Sequence, residues 1–165
     1  MTTSFRWARP ADCDALAEVM FYAVRNGPSR YSDAQRAAWV PAPRSGPAWA
    51  ERLSAQDIII AERDGRAIGF MSLARGGYVD FAYIRPEAQH SGLFRQMFAF
   101  IEDRARAKNE RLLWVHASLA ARPAFAALGF TVRHSETVRI GSENLQRFEM
   151  EKPLDPAPAP PVAPS

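Results

Sequence analysis

Three strand-like runs in series, followed by a long helix and another strand, constrain this chain more than any other feature. The segment "DIIIAERDGRAIGFMSLARGGYVDFAYIRP" sets apolar and β-branched residues around two turn dipeptides, Asp64-Gly65 and Gly76-Gly77. Such dipeptides supply the positive φ angles of tight hairpins, so the three runs pair antiparallel. An amphipathic stretch then runs from Gly92 to Lys108, and "RLLWVHAS" at 111–118 reads as a buried strand. A strand, a long helix and another strand form a crossover, which favours parallel pairing at that point.

The flanking segments complete the pattern. "SFRWAR" at 4–9 reads as a first strand, and Pro10, Asp12 and Asp14 open a helix that carries Leu16, Val19, Met20, Ala23 and Val24 at helical spacing. "SDAQRAAWV" at 32–40, capped by Ser32 or Asp33, and "AWAERLSA" at 48–55 are two further helical pieces. The helix from Gly92 is expected to bury Leu93, Met97, Phe100 and Ile101. "ARPAFAALGF" at 121–130 reads as a short helix that stops at Gly129, and a closing hairpin turns at Gly141-Ser142. The expected fold class is α/β (α+β): one twisted mixed sheet of about seven strands with helices on both faces. Residues 1–152 are expected to form one domain. The tail "PLDPAPAPPVAPS" at 153–165 has little to bury and reads as disordered or polyproline-like, with Pro-rich recognition as an alternative role.

Composition removes several function classes. The 165 residues are 47% hydrophobic and 24% charged, which suits a soluble globular protein. No apolar run approaches a membrane span and no signal-peptide core is present, so the expected location is cytoplasmic, with no membrane partner. Net charge is +3, and acids and bases are interleaved without a Lys/Arg block, which argues against nucleic acid. A mildly basic surface still attracts a polyanionic cofactor. Cys13, the single cysteine, has no disulfide partner and reads as a packing residue. His90, His116 and His134 show no metal-ligand spacing, so no metal is expected.

The stretch "YIRPEAQHSGLFRQMF" at 83–98 carries the chemistry. A strand stops at Pro86, a polar loop with one glycine follows, and a helix begins. Amides at a helix N-terminus lack partners and point outward, so a pyrophosphate can sit there on backbone donors. With "ASLAARPAFAALGF" downstream, this stretch resembles the GNAT superfamily of N-acetyltransferases, and the likeness extends over nearly the whole chain except the tail. The family loop has the form Gln/Arg-x-x-Gly-x-Gly/Ala, and here it reads Gln89-His90-Ser91-Gly92-Leu93-Phe94. The resemblance implies acetyl-CoA as acyl donor, with backbone groups of Ala82, Tyr83 and Ile84 available to pantetheine. A homodimer is a common state of the family.

Three positions, Ser91, Phe94 and Phe125, depart from the family pattern, and a fourth, Ser118, matches it in part. Ser91 stands where a basic residue is frequent, and Arg95 is the candidate to replace that charge. Phe94 replaces a small residue and must turn its ring to the hydrophobic side. Phe125 stands where the family often has a tyrosine that protonates the leaving thiolate, and Ser118 stands where it has a cofactor-binding asparagine. Asp80, set among aromatic and apolar residues, and His116, at the end of "LLWVH", are the candidate bases; a solvated strand residue and a structural histidine are the respective alternatives. Tyr83 is the candidate replacement acid. Tyr22, Tyr31 and Trp39 either line the acceptor site or pack on the sheet. His90 and Arg122 are candidate phosphate contacts or plain surface residues, and His134 has no expected role. The expected activity is acetyl transfer from acetyl-CoA to a primary amine of a small molecule by direct attack. The alternative is a catalytically silent GNAT fold that binds CoA or another ligand.

Overall fold

Two hairpin turns and one broken strand set the architecture of the computed structural model, which describes residues 2–155. Strands β2 (Asp57–Arg63) and β3 (Arg66–Leu73) pair antiparallel through Asp64 and Gly65, whose φ angles are 51° and 75°. Strand β1 (Thr3–Trp7) lies against the other edge of β2, also antiparallel. Beyond Gly76 and Gly77 the third run divides into β4 (Tyr78–Val79) and β5 (Ala82–Ile84). β5 pairs antiparallel with β3, whereas β4 pairs parallel with β6 (Leu112–Ala117). The closing hairpin of β7 (Thr131–Ile140) and β8 (Glu143–Pro153) adds to β6 through β8. The seven runs read from the sequence therefore become eight strands in two hydrogen-bonded groups, β1-β2-β3-β5 and β4-β6-β8-β7.

Ser72 in β3 explains how the chain can break at Asp80 and Phe81 without stranding a polar group. Its amide donates to the Phe81 carbonyl at 2.9 Å, and its hydroxyl accepts from the Phe81 amide at 2.9 Å. A side chain thus replaces one rung of the ladder, and Ser72 is fully buried with its hydroxyl satisfied.

The sheet has a core on each face, as period-two alternation along β2 requires. Ile58 and Ile60 join one core with α1 (Cys13–Asn26) and α3 (Gly46–Ser54). Ile59 and Ala61 join the other with α4 (Leu93–Ala107) and α5 (Arg122–Ala127). The buried sector of α4 is Leu93, Met97, Phe98, Ile101 and Ala105. Phe100, expected inside it, is 38% exposed and rests on Phe5 and Trp7. At 100° per residue the sector runs from Leu93 round to Phe98, and Phe100 falls just outside its other edge.

At the C-terminal end, β8 continues through Pro153, and Leu154 is buried with its amide bonded to the Arg111 carbonyl at 2.9 Å. The domain therefore extends past the boundary expected at 152, because these residues finish the sheet. Residues 156–165 of the expected tail lie outside the described residues. Among the described residues no helix is long and apolar enough to cross a membrane.

Candidate active site

The site opens where β4 and β5 part company. β5 ends its sheet, so one of its edges is free. Phe81, Tyr83 and Arg85 face β3: Ser72 donates to the Phe81 carbonyl, Tyr83 lies opposite Phe70, and Arg85 donates to the Ile68 carbonyl. By alternation the backbone groups of Ala82 and Ile84 point to the free edge. There the Ile84 carbonyl receives only a long 3.4 Å bond from the Gln89 side chain.

The turn into α4 follows directly. His90 and Gly92 both take left-handed conformations, with φ of 59° and 81°, and the first helical bond runs from the Gln96 amide to the Gly92 carbonyl. Among the described residues, none of the amides from His90 to Arg95 donates to a backbone acceptor. A Cβ at Gly92 would meet nothing within 4 Å, so glycine is needed there for its φ, and the approach is open. Ser91 donates its hydroxyl to the Ala88 carbonyl at 2.6 Å, which braces the turn. His90 and Arg95 are exposed, and Arg95 makes no ion pair with the described residues.

A cavity of about 180 Å³ lies between this turn, the free edge of β5 and the start of α5. Gln89, Phe94 and Ser118 line it with Ala82, Tyr83 and Ile84. The Phe94 ring meets Phe125 edge-on with centroids 5.0 Å apart, and Phe125 meets Phe130 at 5.1 Å. Phe125 is 1% exposed. The two phenylalanines that depart from the family pattern thus form one packing unit, with Phe94 placing part of its ring in the cavity wall. The Ser118 hydroxyl accepts from the Ala121 amide at 3.1 Å and caps the turn into α5.

A second cavity, of about 160 Å³, lies on the other side of Tyr83. Its wall is polar and holds Tyr78, Asp80 and His116 together with three arginines, Arg44, Arg52 and Arg147. Arg52 grips the Asp80 carboxylate with two bonds, of 3.0 and 2.7 Å, and Gln56 adds a third at 2.7 Å. The His116 Nδ1 lies 3.1 Å from the Tyr78 hydroxyl, and its Nε2 lies 3.6 Å from a Glu136 carboxylate oxygen. Desolvation, then the nearby Arg147 charge, hold the His116 imidazole below its ordinary pKa. Burial, reinforced by Asp80, raises the Tyr78 phenol above its own. Tyr78 is therefore the donor to Nδ1, and the imidazole proton sits on Nε2 toward Glu136.

Tyr31, Trp39, Tyr83 and Ser118 line both cavities, which makes them the junction between the two. The Tyr83 ring sits against Trp39 and Phe70, and burial followed by the Asp80 charge pushes its phenol well above the ordinary range. Tyr31 donates to the Gln146 carbonyl and accepts from the Leu119 amide at 3.2 Å. The short helix α2 (Asp33–Trp39) places Trp39 by a reciprocal cap between Ser32 and Gln35 and by Gln35 reaching the Asn144 carbonyl at 2.7 Å. Arg36 of the same helix donates to the Val24 and Gly27 carbonyls and fixes it to the end of α1.

Other candidate residues lie elsewhere. Tyr22 is 41% exposed beneath the Arg85 guanidinium, outside both linings. Arg122 stacks on the Phe148 ring at 4.8 Å, and His134 sits 3.0 Å from Glu149 on the closing hairpin. Tyr78, Arg44, Arg52 and Arg147 are functional candidates first brought out by the fold. Tyr78 had a signal, since it lies two residues from Asp80 and shares its strand face. The arginines had none, because each comes from a different element and resembles its surface counterparts.

A broken strand beside a bare helix N-terminus is the framework of a GNAT-type N-acetyltransferase. The chain belongs to that family: residues 29–153 match the model of the acetyltransferase (GNAT) domain. It is 28% identical over 143 residues to the uncharacterized N-acetyltransferase YafP of Escherichia coli K12, covering 86% of this chain and 90% of that protein. A GCN5-related N-acetyltransferase structure from Rhodopseudomonas palustris superposes with a TM-score of 0.85 at 28% identity, over 93% of this chain and 97% of that one. The putative acetyltransferase yncA of Salmonella typhimurium, solved with acetyl-CoA, shares the fold at a TM-score of 0.68 and 23% identity, over 99% and 100% of the two chains.

Proposed function

We propose that the protein transfers an acetyl group from acetyl-CoA to a primary amine of a small molecule by direct attack. The observation that carries this reading is the meeting of two unlike cavities at Tyr83, one lined by the free edge of β5 beside the bare turn into α4 and the other holding a neutral imidazole. The donor side fits acetyl-CoA. Amides of the His90–Arg95 turn suit its pyrophosphate, Arg95 offers a nearby charge, and the free edge at Ala82 and Ile84 suits the amides of pantetheine. Bound there, acetyl-CoA supplies an acyl carbon activated as a thioester.

The remaining chemistry falls to side chains of this chain. An ammonium has no lone pair, so the acceptor must lose a proton; neutral His116 can take it at Nδ1 through Tyr78, whose oxygen accepts the amine proton as its own hydroxyl proton passes to the ring. Asp80, held by Arg52 and Gln56, offers an oriented carboxylate that keeps the amine in place before it is deprotonated. Tyr83 keeps its proton and is suited to donate a hydrogen bond toward the departing sulfur. Backbone amides on the free edge of β5 would polarise the acyl oxygen.

Release of free thiol from acetyl-CoA in the presence of a panel of small amines tests the reading, alongside calorimetric titration with acetyl-CoA. Micromolar binding with amine-dependent thiol release is the expected result. Binding without release from any amine would favour a second reading, a CoA-binding protein that does not transfer, for which the observation is Phe94 in the cavity wall. Absence of binding would overturn the assignment of the turn.

A further inference from the structure

We infer that the acceptor amine also carries a carboxylate, and that Arg44 and Arg147 read it. The inference rests on the second cavity being the acceptor site. The charges around that cavity do not balance. Three arginines line it, and Asp80 is the one carboxylate in the lining. Arg52 is bonded to Asp80 through its Nε and one terminal nitrogen. Arg147 spends its Nε on Glu136 at 2.6 Å and leaves its two terminal amino groups without a hydrogen bond to the described residues. Arg44 pairs with no carboxylate among the described residues. It donates once, to the Trp39 carbonyl at 3.1 Å, and its Nε is buried without any partner.

Two carboxylates, Asp80 and Glu136, therefore face three guanidinium groups, and His116 adds no charge. A buried donor left bare is costly, and a guanidinium fork matches a carboxylate in shape as well as charge. The opposite requirement is met nearby, where Asp80 and His116 suit an amine. The cavity thus offers an anionic partner to one end of a ligand and cationic partners to the other. Val138, Ile140 and Leu145 make part of the cavity wall apolar. At about 160 Å³ the space is below the range of about 300–1,000 Å³ typical of drug-sized ligands, which restricts it to small molecules. The chemistry is that of a small amino acid with an apolar side chain.

The test uses the full chain with CoA present. Glycine, L-alanine, L-valine and L-methionine are each compared with their amides, by calorimetric binding and by acetyl transfer from acetyl-CoA. At least one acid is expected to exceed its amide by about tenfold or more. Arg44→Gln should bring that ratio close to one, and Arg44→Lys should keep part of it. Retained acetyl-CoA binding by both variants shows that they fold. Arg44-dependent binding of an acid without any transfer would support this inference and remove the transferase reading alone. Equal behaviour of acids and amides, a ratio unchanged in Arg44→Gln, or no binding and no turnover of any acid would each overturn it.

Discussion

The two cavities meet at Tyr31, Trp39, Tyr83 and Ser118, yet they are made of different material. The proposed donor side presents backbone: the free edge of β5 and the amides of the turn from His90 to Arg95. The proposed acceptor side presents charged and aromatic side chains drawn from β4, β6, β8, α3 and the loop that carries Arg44. A backbone site needs a particular conformation and little side-chain identity beyond glycine. On the proposed reading, serine and phenylalanine at Ser91 and Phe94 fall within that tolerance. A side-chain site has no such tolerance, because each group supplies a charge or a proton that a neighbour counts on. Substitutions should therefore separate the two functions.

The largest separation is expected for His116→Ala. Removal of a positioned base should lower turnover by about 10²–10⁴-fold, while acetyl-CoA affinity stays within error of the parent. The parent's pH profile sharpens this. Since His116 is held below the ordinary histidine value of about 6.5, its base form prevails at neutral pH, and activity should decline only as pH falls below that value. The same depressed value makes the folded state bind protons less readily than the unfolded one. Stability from this group is therefore present above the ordinary value and lost as pH falls from there through the depressed folded value. A profile that begins to fall above pH 7 would remove His116 as the base.

Next comes Phe125→Ala, with an expected destabilisation of about 3–5 kcal/mol, read from denaturant midpoints. The ring is fully enclosed and touches both Phe94 and Phe130. A double-mutant cycle with Phe94→Ala should reveal a coupling of about 0.5–1.5 kcal/mol. Zero coupling would mean that Phe94 belongs to the cavity alone.

What could be read in advance follows the same division. The turn Gln89–Phe94, the helix behind it and the hairpin at Asp64-Gly65 are local, and their residues declare their own geometry. The strand at 78–84 read as continuous because nothing in "YVDFAYI" marks a turn. Its break depends on Ser72, nine residues earlier in sequence, supplying a hydroxyl to the Phe81 amide. Leu154 was lost to its Pro-rich surroundings, although its amide closes the sheet against Arg111. In the acceptor cavity, Asp80 and His116 could be singled out as isolated polar residues in apolar strands. Arg44, Arg52 and Arg147 could not, because only the tertiary fold gathers them.

A smaller and one-sided effect is expected of Gly92→Ala. A Cβ there meets no atom within 4 Å, so the cost is the left-handed φ of 81° alone, about 1–2 kcal/mol. If the strain is relieved by moving the turn, acetyl-CoA affinity should fall by about 5- to 30-fold in calorimetry, with the binding of acceptor unchanged. Loss of acceptor binding as well would show that the turn is coupled to the second cavity.

The smallest effect should be the one that refuses to separate. Tyr31 lies in both walls, and its hydroxyl ties the Gln146 carbonyl of β8 to the Leu119 amide ahead of α5. Tyr31→Phe keeps the ring against Trp39 and removes both bonds. The site is open enough for water to replace them, so the net cost is about 1 kcal/mol. Because one bond holds the acceptor wall and the other the donor wall, the loss should be shared. Acetyl-CoA affinity and the KM for amine should both worsen by a few fold, with kcat nearly unchanged. A shift confined to one ligand would assign Tyr31 to a single cavity and leave Tyr83 as the main element common to both.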